Sequence, residues 1–216
     1  MSTIIESYKK IKSNILKIDN NNRTKIVAVS KTFPLNHIMP LIDHGHDHFG
    51  ENKVQEAENK WKELKKDKSH LKLHMIGKLQ SNKAKKAVEI FDYIHSIDSQ
   101  KLADVLSKSQ NEIGKSLNYF IQVNIGNENQ KSGLPYNEVD SFYNYCTKEK
   151  KMSILGLMII PPNDNNTDKY FKSISELNAS LALKELSMGM SSDYMNAIKY
   201  KATFIRIGSL IFGERN

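Results

Sequence analysis

Residues 25–49 read KIVAVSKTFPLNHIMPLIDHGHDHF. The run from Ile26 to Val29 is apolar and rich in β-branched types, the composition of a strand buried on both faces. Residues 34–44 carry a helical pattern, and 45–49 read as a second short strand. This strand–helix–strand unit recurs along the chain. Strands are expected at 25–30, 45–49, 73–76, 93–96, 117–124, 154–159, 185–187 and 204–207. Helices are expected at 34–44, 53–66, 80–91, 100–113, 135–151, 167–183 and 193–201. Asp98 and Ser99 can cap the helix that follows them, and Pro135 suits a first helical position.

Repeated strand–helix alternation implies a parallel sheet. Eight units predict an α/β protein built as a single closed (β/α)8 TIM-type barrel. A doubly wound open sheet is the alternative on pattern alone. No linker, low-complexity block or repeat divides residues 1–216, so a single domain is expected. Ile4, Tyr8, Ile11, Ile15 and Ile18 recur at three- and four-residue spacing and predict a helix ahead of the first strand. Nine residues follow the last expected strand, which leaves no room in this sequence for a C-terminal β domain.

The composition narrows the function classes. At 216 residues and 39% hydrophobic, the chain can bury a proper core. No run of 18 apolar residues exists, so no membrane span is expected, and the N-terminus reads as a helix rather than a signal peptide. The net charge of +8 comes from lysines clustered at 60–68, 83–86 and 148–151. They interleave with glutamates on helical faces, which reads as solvated surface rather than a nucleic-acid interface. The lone Cys146 permits no intrachain disulfide and fits a reducing, cytoplasmic location. It lies in an apolar helical pattern near Phe142 and Tyr143, as a packed thiol would. His44, His46 and His48 alternate in DHGHDHFGEN, but the first belongs to a helix end, so no metal site is expected.

The first strand runs into Lys31. Strand C-termini form the working face of such barrels, so a lysine there either escapes to solvent or sits as an amine in a partly dry pocket. Desolvation would free its lone pair to attack a carbonyl and form a Schiff base. A phosphorylated aldehyde such as pyridoxal 5′-phosphate would also need a phosphate cradle and a partner for its ring nitrogen. The segment ELSMGMSSDYMNAIKYKATFIRIGSLIFGER, residues 185–215, offers Ser187, Gly189, Ser191, Arg206, Gly208 and Ser209. Loops after strands seven and eight are frequent phosphate sites in barrels, and closure would bring strand eight beside strand one. Arg206 either pairs with an acid or faces the ring nitrogen, which a permanent cation would keep unprotonated.

Seven stretches in order carry a resemblance that spans nearly the whole chain: VAVSKTFP, HFGENKVQEAENK, HMIGKLQSNKAKKA, IHSIDS, IQVNIGNENQKSGL, GLMIIPP, and LSMGMSSDYMNAI followed by IRIGSLIFGER. The chain resembles the pyridoxal phosphate homeostasis proteins, the proline synthetase co-transcribed family, which are related to the alanine racemase N-terminal barrel. The resemblance implies pyridoxal 5′-phosphate held as an internal aldimine on Lys31. It implies Arg206 at the pyridine nitrogen, Ser191, Gly208 and Ser209 around the phosphate, and Asn52 lining the pocket. Lys53 stands where an aromatic often follows FGEN, and Ser209 where threonine is frequent, with its hydroxyl kept.

The family implies a protein that buffers or delivers the cofactor, affects amino-acid and keto-acid balance, and meets apo forms of cofactor-dependent enzymes transiently. No turnover is attributed to it. The alternative is a racemase-like enzyme with weak turnover, which needs a base on each face of the substrate carbon. A closed barrel leaves no open sheet edge, so a monomer is expected. His74 reads as a core or pocket histidine, while Gln80, Ser81 and Asn82 suit a cap or rim. Glu51 reads as a helix-start acid and Glu56 as a solvated one. Lys131, after strand five, reads as solvated or as a second amine for the aldehyde.

Overall fold

In the computed structural model, residues 3–128, 132–164 and 166–214 are described. Among them eight parallel strands close into a barrel in sequence order. The strands are β1 Lys25–Val29, β2 His48–Glu51, β3 Lys72–Met75, β4 Tyr93–Ile97, β5 Asn118–Val123, β6 Ser153–Ile159, β7 Glu185–Ser187 and β8 Phe204–Ile207. Closure is made where β1 pairs with β8, with Val27 opposite Arg206. That pairing excludes the open doubly wound sheet.

The α-helices are α1 Thr3–Leu16, α2 Leu35–Asp43, α3 Val54–Asp67, α4 Ala84–Ile90, α5 Gln100–Ile113, α6 Val139–Asn144, α7 Thr167–Ser180, α8 Tyr194–Lys199 and α9 Ser209–Phe212. Helix α1 buries Ile4, Tyr8, Ile11 and Ile15 as expected and packs against α2, α8 and α9. Ser99 caps α5 by accepting the Leu102 N–H, and Gly114 closes it at φ 72°. The expected helix at 135–151 is three pieces: a 3₁₀ turn from Tyr136, then α6, then a π-helical turn over Tyr145–Glu149. Pro135 precedes that segment instead of opening it. Cys146 lies in the π turn, fully buried, and burial pushes its thiol up to about 12.

Strand β2 begins three residues later than expected. Gly45, at φ 90°, ends the α2 turn, and His46 leaves the sheet to bond Tyr8. Gly50 is inside β2 because a Cβ there would lie 2.9 Å from Val27 Cγ1. Helix α9 has no counterpart among the helices expected from the sequence.

Two apolar regions result. The larger lies between the sheet and the helices and includes Trp61, Phe49, Phe91 and Phe171. The smaller, Val27, Phe120, Met158 and Phe204, fills the inside of the barrel. Lys25 Nζ sits 4.9 Å from the Phe204 ring centroid, at the N-terminal end of the barrel. Among the described residues the barrel interior is therefore packed, and its C-terminal rim is the end that opens into a cavity.

Candidate functional site

That rim holds a cavity of about 1040 Å³. Lys31, Asn52, Ser191, Arg206, Gly208 and Ser209 all line it, although 178 residues separate the first from the last. Val29, Ile76 and Ile160 give it an apolar wall. Its charged lining is Lys31, Lys78 and Arg206 against the single carboxylate of Glu214, among the described residues. The cavity is thus cationic and suited to an anion.

Lys31 follows β1 in a tight turn. Phe33 N–H donates to the Ser30 carbonyl (3.2 Å), and Thr32 takes φ 70°, a strained position for a β-branched residue. The turn is braced on both sides. The Phe33 ring stacks on His37, whose Nε2 lies 3.0 Å from the Phe212 carbonyl oxygen in α9. On the other side Glu51 Oε1 accepts from Ser30 Oγ (2.8 Å), Lys60 Nζ (2.9 Å) and Trp61 Nε1 (2.9 Å). Lys60 also donates to the Ser30 carbonyl (2.8 Å). Glu51 is fully buried at the end of β2, not a helix-start acid. Glu56 is on the surface of α3 and pairs with exposed Lys53.

Asn52 reaches the cavity because the turn after β3 leaves room for its backbone. A Cβ at Gly77 would lie 2.4 Å from the Asn52 carbonyl oxygen, so only glycine fits there. On the far wall, Asp193 Oδ1 accepts the Met190 N–H (2.6 Å) and the Tyr194 N–H bonds the Met190 carbonyl, which fixes the Ser191–Ser192 turn. Helix α9 starts at Ser209, and its first turn exposes backbone N–H groups beside Gly208.

Arg206 is 4% exposed. It donates from Nη1 to Ser187 Oγ (2.7 Å) and from Nη2 to the Ile159 carbonyl (2.8 Å). Burial pulls its guanidinium down to about 10, opposed by the charge of Asp193. Ser187, a candidate for the phosphate cradle, is fully buried under Arg206 and off the cavity wall. Gly189 accepts the Arg206 N–H through its carbonyl and packs against α8 at φ 92°. These two support the arginine; the hydroxyls at the cavity are those of Ser191, Ser192, Ser209 and Ser132.

The three alternating histidines diverge. His44 ends α2, His46 Nδ1 meets Tyr8 Oη (3.1 Å), and His48 Nδ1 meets His74 Nε2 (2.8 Å). His74 is in the core rather than the pocket. Gln80, Ser81 and Asn82 border a separate, more open depression. Lys131 lies outside the described residues.

Residues 7–216 match the family described as alanine racemase, N-terminal domain. The chain is 36% identical to the pyridoxal phosphate homeostasis protein of Haemophilus influenzae, over 91% of this chain and 87% of that one. The chain belongs to the pyridoxal phosphate homeostasis protein family. A second member, from Schizosaccharomyces pombe, is 36% identical over 100% of this chain and 94% of its own. Within the same fold, PipY of Synechococcus elongatus, solved with PLP bound, superposes at a TM-score of 0.87 with 37% identity, covering 97% of this chain and 100% of that one. The alanine racemase of Clostridium difficile superposes at 0.73 with 13% identity, which shows a shared barrel only. This chain covers 55% of that enzyme's length.

Proposed function

We propose that this homeostasis-family protein binds pyridoxal 5′-phosphate in the rim cavity, with Lys31 as its covalent anchor, and that it buffers or delivers the cofactor. The supporting observation is the convergence of an amine, a buried guanidinium and two serine hydroxyls on one cationic cavity. The ligand supplies a dianionic phosphate, an aldehyde and a ring nitrogen, and each finds a chemically matched group. Condensation of the aldehyde with Lys31 Nζ, with loss of water, is the chemistry the group supplies when bound.

The protein's residues do the rest. Ser191 and Ser209 would donate to the phosphate, with Gly208 allowing the backbone to approach. Arg206 would hold a donor toward the ring nitrogen and, being charged, would not give up its proton to it. Asn52 would border the ring. The brace of Glu51, Lys60 and Trp61 would keep the Lys31 turn in place. Among the described residues no helix is long and apolar enough to cross a membrane, and the Cys146 thiol is buried.

We read the protein as a carrier without turnover of its own. The relatives are named for homeostasis rather than for a reaction.

The test is a visible spectrum of the purified protein with added cofactor, followed by borohydride reduction and peptide mass mapping. A yellow band fixed onto Lys31, absent from Lys31→Ala, is expected. A protein that stays colourless overturns the reading, and a label on another lysine overturns the anchor. Racemisation or transamination of an amino-acid panel at enzyme-like rates would overturn the carrier assignment.

A further inference from the structure

A line of hydrogen bonds runs through the barrel interior. His48 Nδ1 lies 2.8 Å from His74 Nε2, and His74 Nδ1 lies 2.9 Å from His95 Nε2. His95 Nδ1 lies 2.8 Å from Ser187 Oγ, which receives the Arg206 Nη1 proton at 2.7 Å. His48 is the first residue of β2 and Ser187 the last of β7, so the line climbs from the N-terminal end of the barrel to Arg206, which lines the cavity. His74, His95 and Ser187 are fully buried. Tyr93 stacks on His74 at 4.2 Å and Phe120 on His95 at 4.3 Å, which fixes both rings.

A neutral imidazole has one N–H and one lone pair, so each ring passes a donor direction to the next. Only two directions are possible. In one, the Ser187 hydroxyl donates to His95 Nδ1, His95 Nε2–H to His74 Nδ1, and His74 Nε2–H to His48 Nδ1. His48 Nε2–H then faces Asp47 Oδ1, 3.9 Å away at the protein surface. In the other, every proton points upward, and Ser187 Oγ receives two donors while its own buried proton has no acceptor. The upward direction also aims the positive end of each ring at the guanidinium. Leaving a buried hydroxyl unsatisfied is costly, and the charge opposes it further.

We propose that Ser187, His95, His74 and His48 are positioning residues for Arg206: a one-directional hydrogen-bond chain that accepts from the guanidinium and disperses its charge toward Asp47, and so holds it as an obligate donor at the cavity wall. Arg206 has no carboxylate in contact among the described residues; its side-chain acceptors are Ser187 and the Ile159 carbonyl. A buried cation needs such compensation. The chain supplies it with neutral dipoles, which leaves the cavity cationic for its ligand. Histidines 74 and 95 are neutral in this arrangement, and burial lowers both well below the ordinary histidine range.

The effect on the ligand rests on the cofactor assignment above, whereas the direction of the chain does not. The experiment therefore has two arms. Long-range ¹⁵N–¹H spectra of histidine-labelled, ligand-free protein at neutral pH should show His74 and His95 each as the Nε2–H tautomer, with Nδ1 as acceptor. In Ser187→Ala both should become tautomer mixtures, and Ser187→Thr, which keeps the hydroxyl, should restore the single form. In the second arm, loaded Ser187→Ala should show a shifted visible band that Ser187→Thr returns to its original position. An Nδ1–H tautomer at either histidine, an imidazolium at either, or identical tautomers and spectra in Ser187→Ala would overturn the proposal. If Ser187→Ala does not fold, the wild-type tautomers and the Ser187→Thr spectrum still decide. Failure of the wild type to take up the cofactor would sink the cofactor assignment, and the tautomer arm would then decide the chain alone.

Discussion

The two ends of the barrel interior are opposites. The C-terminal rim is open, cationic and lined by strand-end and turn residues, with Lys31, Lys78 and Arg206 around about 1040 Å³ of space. The lower interior is filled by Phe204, Phe120 and Tyr93, with histidines bonded to each other between the rings. Charge is tolerated at the rim because water reaches it. Deeper down, the histidines are held as neutral groups hydrogen-bonded to one another. Arg206 stands on the boundary, a charge with one foot in each environment. The contrast means that binding and stability should be separable by position along the strands.

The largest break in that separation is expected from Phe204→Ala. Its ring touches His48, His74, His95, Tyr93 and Phe120. Truncation should cost about 3–5 kcal/mol in denaturant unfolding, and unfolding data that move by less than 1 kcal/mol would show that the lower interior is not a packed core. Acid comes next. His46, 6% exposed, is pushed down to about 4 chiefly by burial, with its bond to the His48 carbonyl and the charge of Asp47 opposing, and those of His48 and Lys12 adding to the shift. The unfolded imidazole takes its proton near 6.5 and the folded one only near 4. Between those values the unfolded state binds more protons, so stability is full above pH 6.5 and falls as pH falls. The loss from this residue is about 3 kcal/mol. His46→Gln should flatten the pH dependence of the denaturation midpoint, and an unchanged slope would assign the acid sensitivity to His74 and His95, which shift in the same direction.

Two rim substitutions sharpen the comparison from the other side. Gly77→Ala places a Cβ against the Asn52 carbonyl, which should cost about 1–3 kcal/mol of stability and weaken uptake of the cofactor by equilibrium titration. Unchanged affinity would remove Asn52 from the site. Lys78→Gln should leave the melting temperature unchanged and weaken cofactor binding by less than about 1 kcal/mol. That loss should shrink further at high salt.

Much of this was legible because barrels repeat one local signal. Apolar β-branched runs such as Ile26–Val29 cannot be solvated, and their spacing placed seven of eight strands to within a residue or two of those observed. Strand β2 failed for a nameable reason: Gly50 and Glu51 look like loop residues, yet a close approach to Val27 demands the glycine and three donors bury the acid. Five of the six candidate residues that line the cavity stand out in the sequence because each sits at a strand end or in a glycine–serine turn, and barrel closure makes those ends neighbours; Asn52 came from the family resemblance alone. Ser187 shared that signature and was drawn into the cradle, although its hydroxyl is committed to Arg206 and His95.

The sequence by itself determined which segments pair, which face of α1 is buried, and that Lys31, Arg206 and the Ser191 and Gly208–Ser209 turns stand at one end of the barrel. These follow from short-range periodicity and from a topology with one closed solution. The tertiary structure decided the cavity's charge balance, the brace under Lys31 and the histidine line beneath Arg206. Those depend on hydrogen bonds between residues far apart in the chain, such as His74 to His95, 21 residues apart, and His95 to Ser187, 92 residues apart. No local rule pairs such residues; only the register and shear of the closed sheet bring one nitrogen within 3 Å of the next.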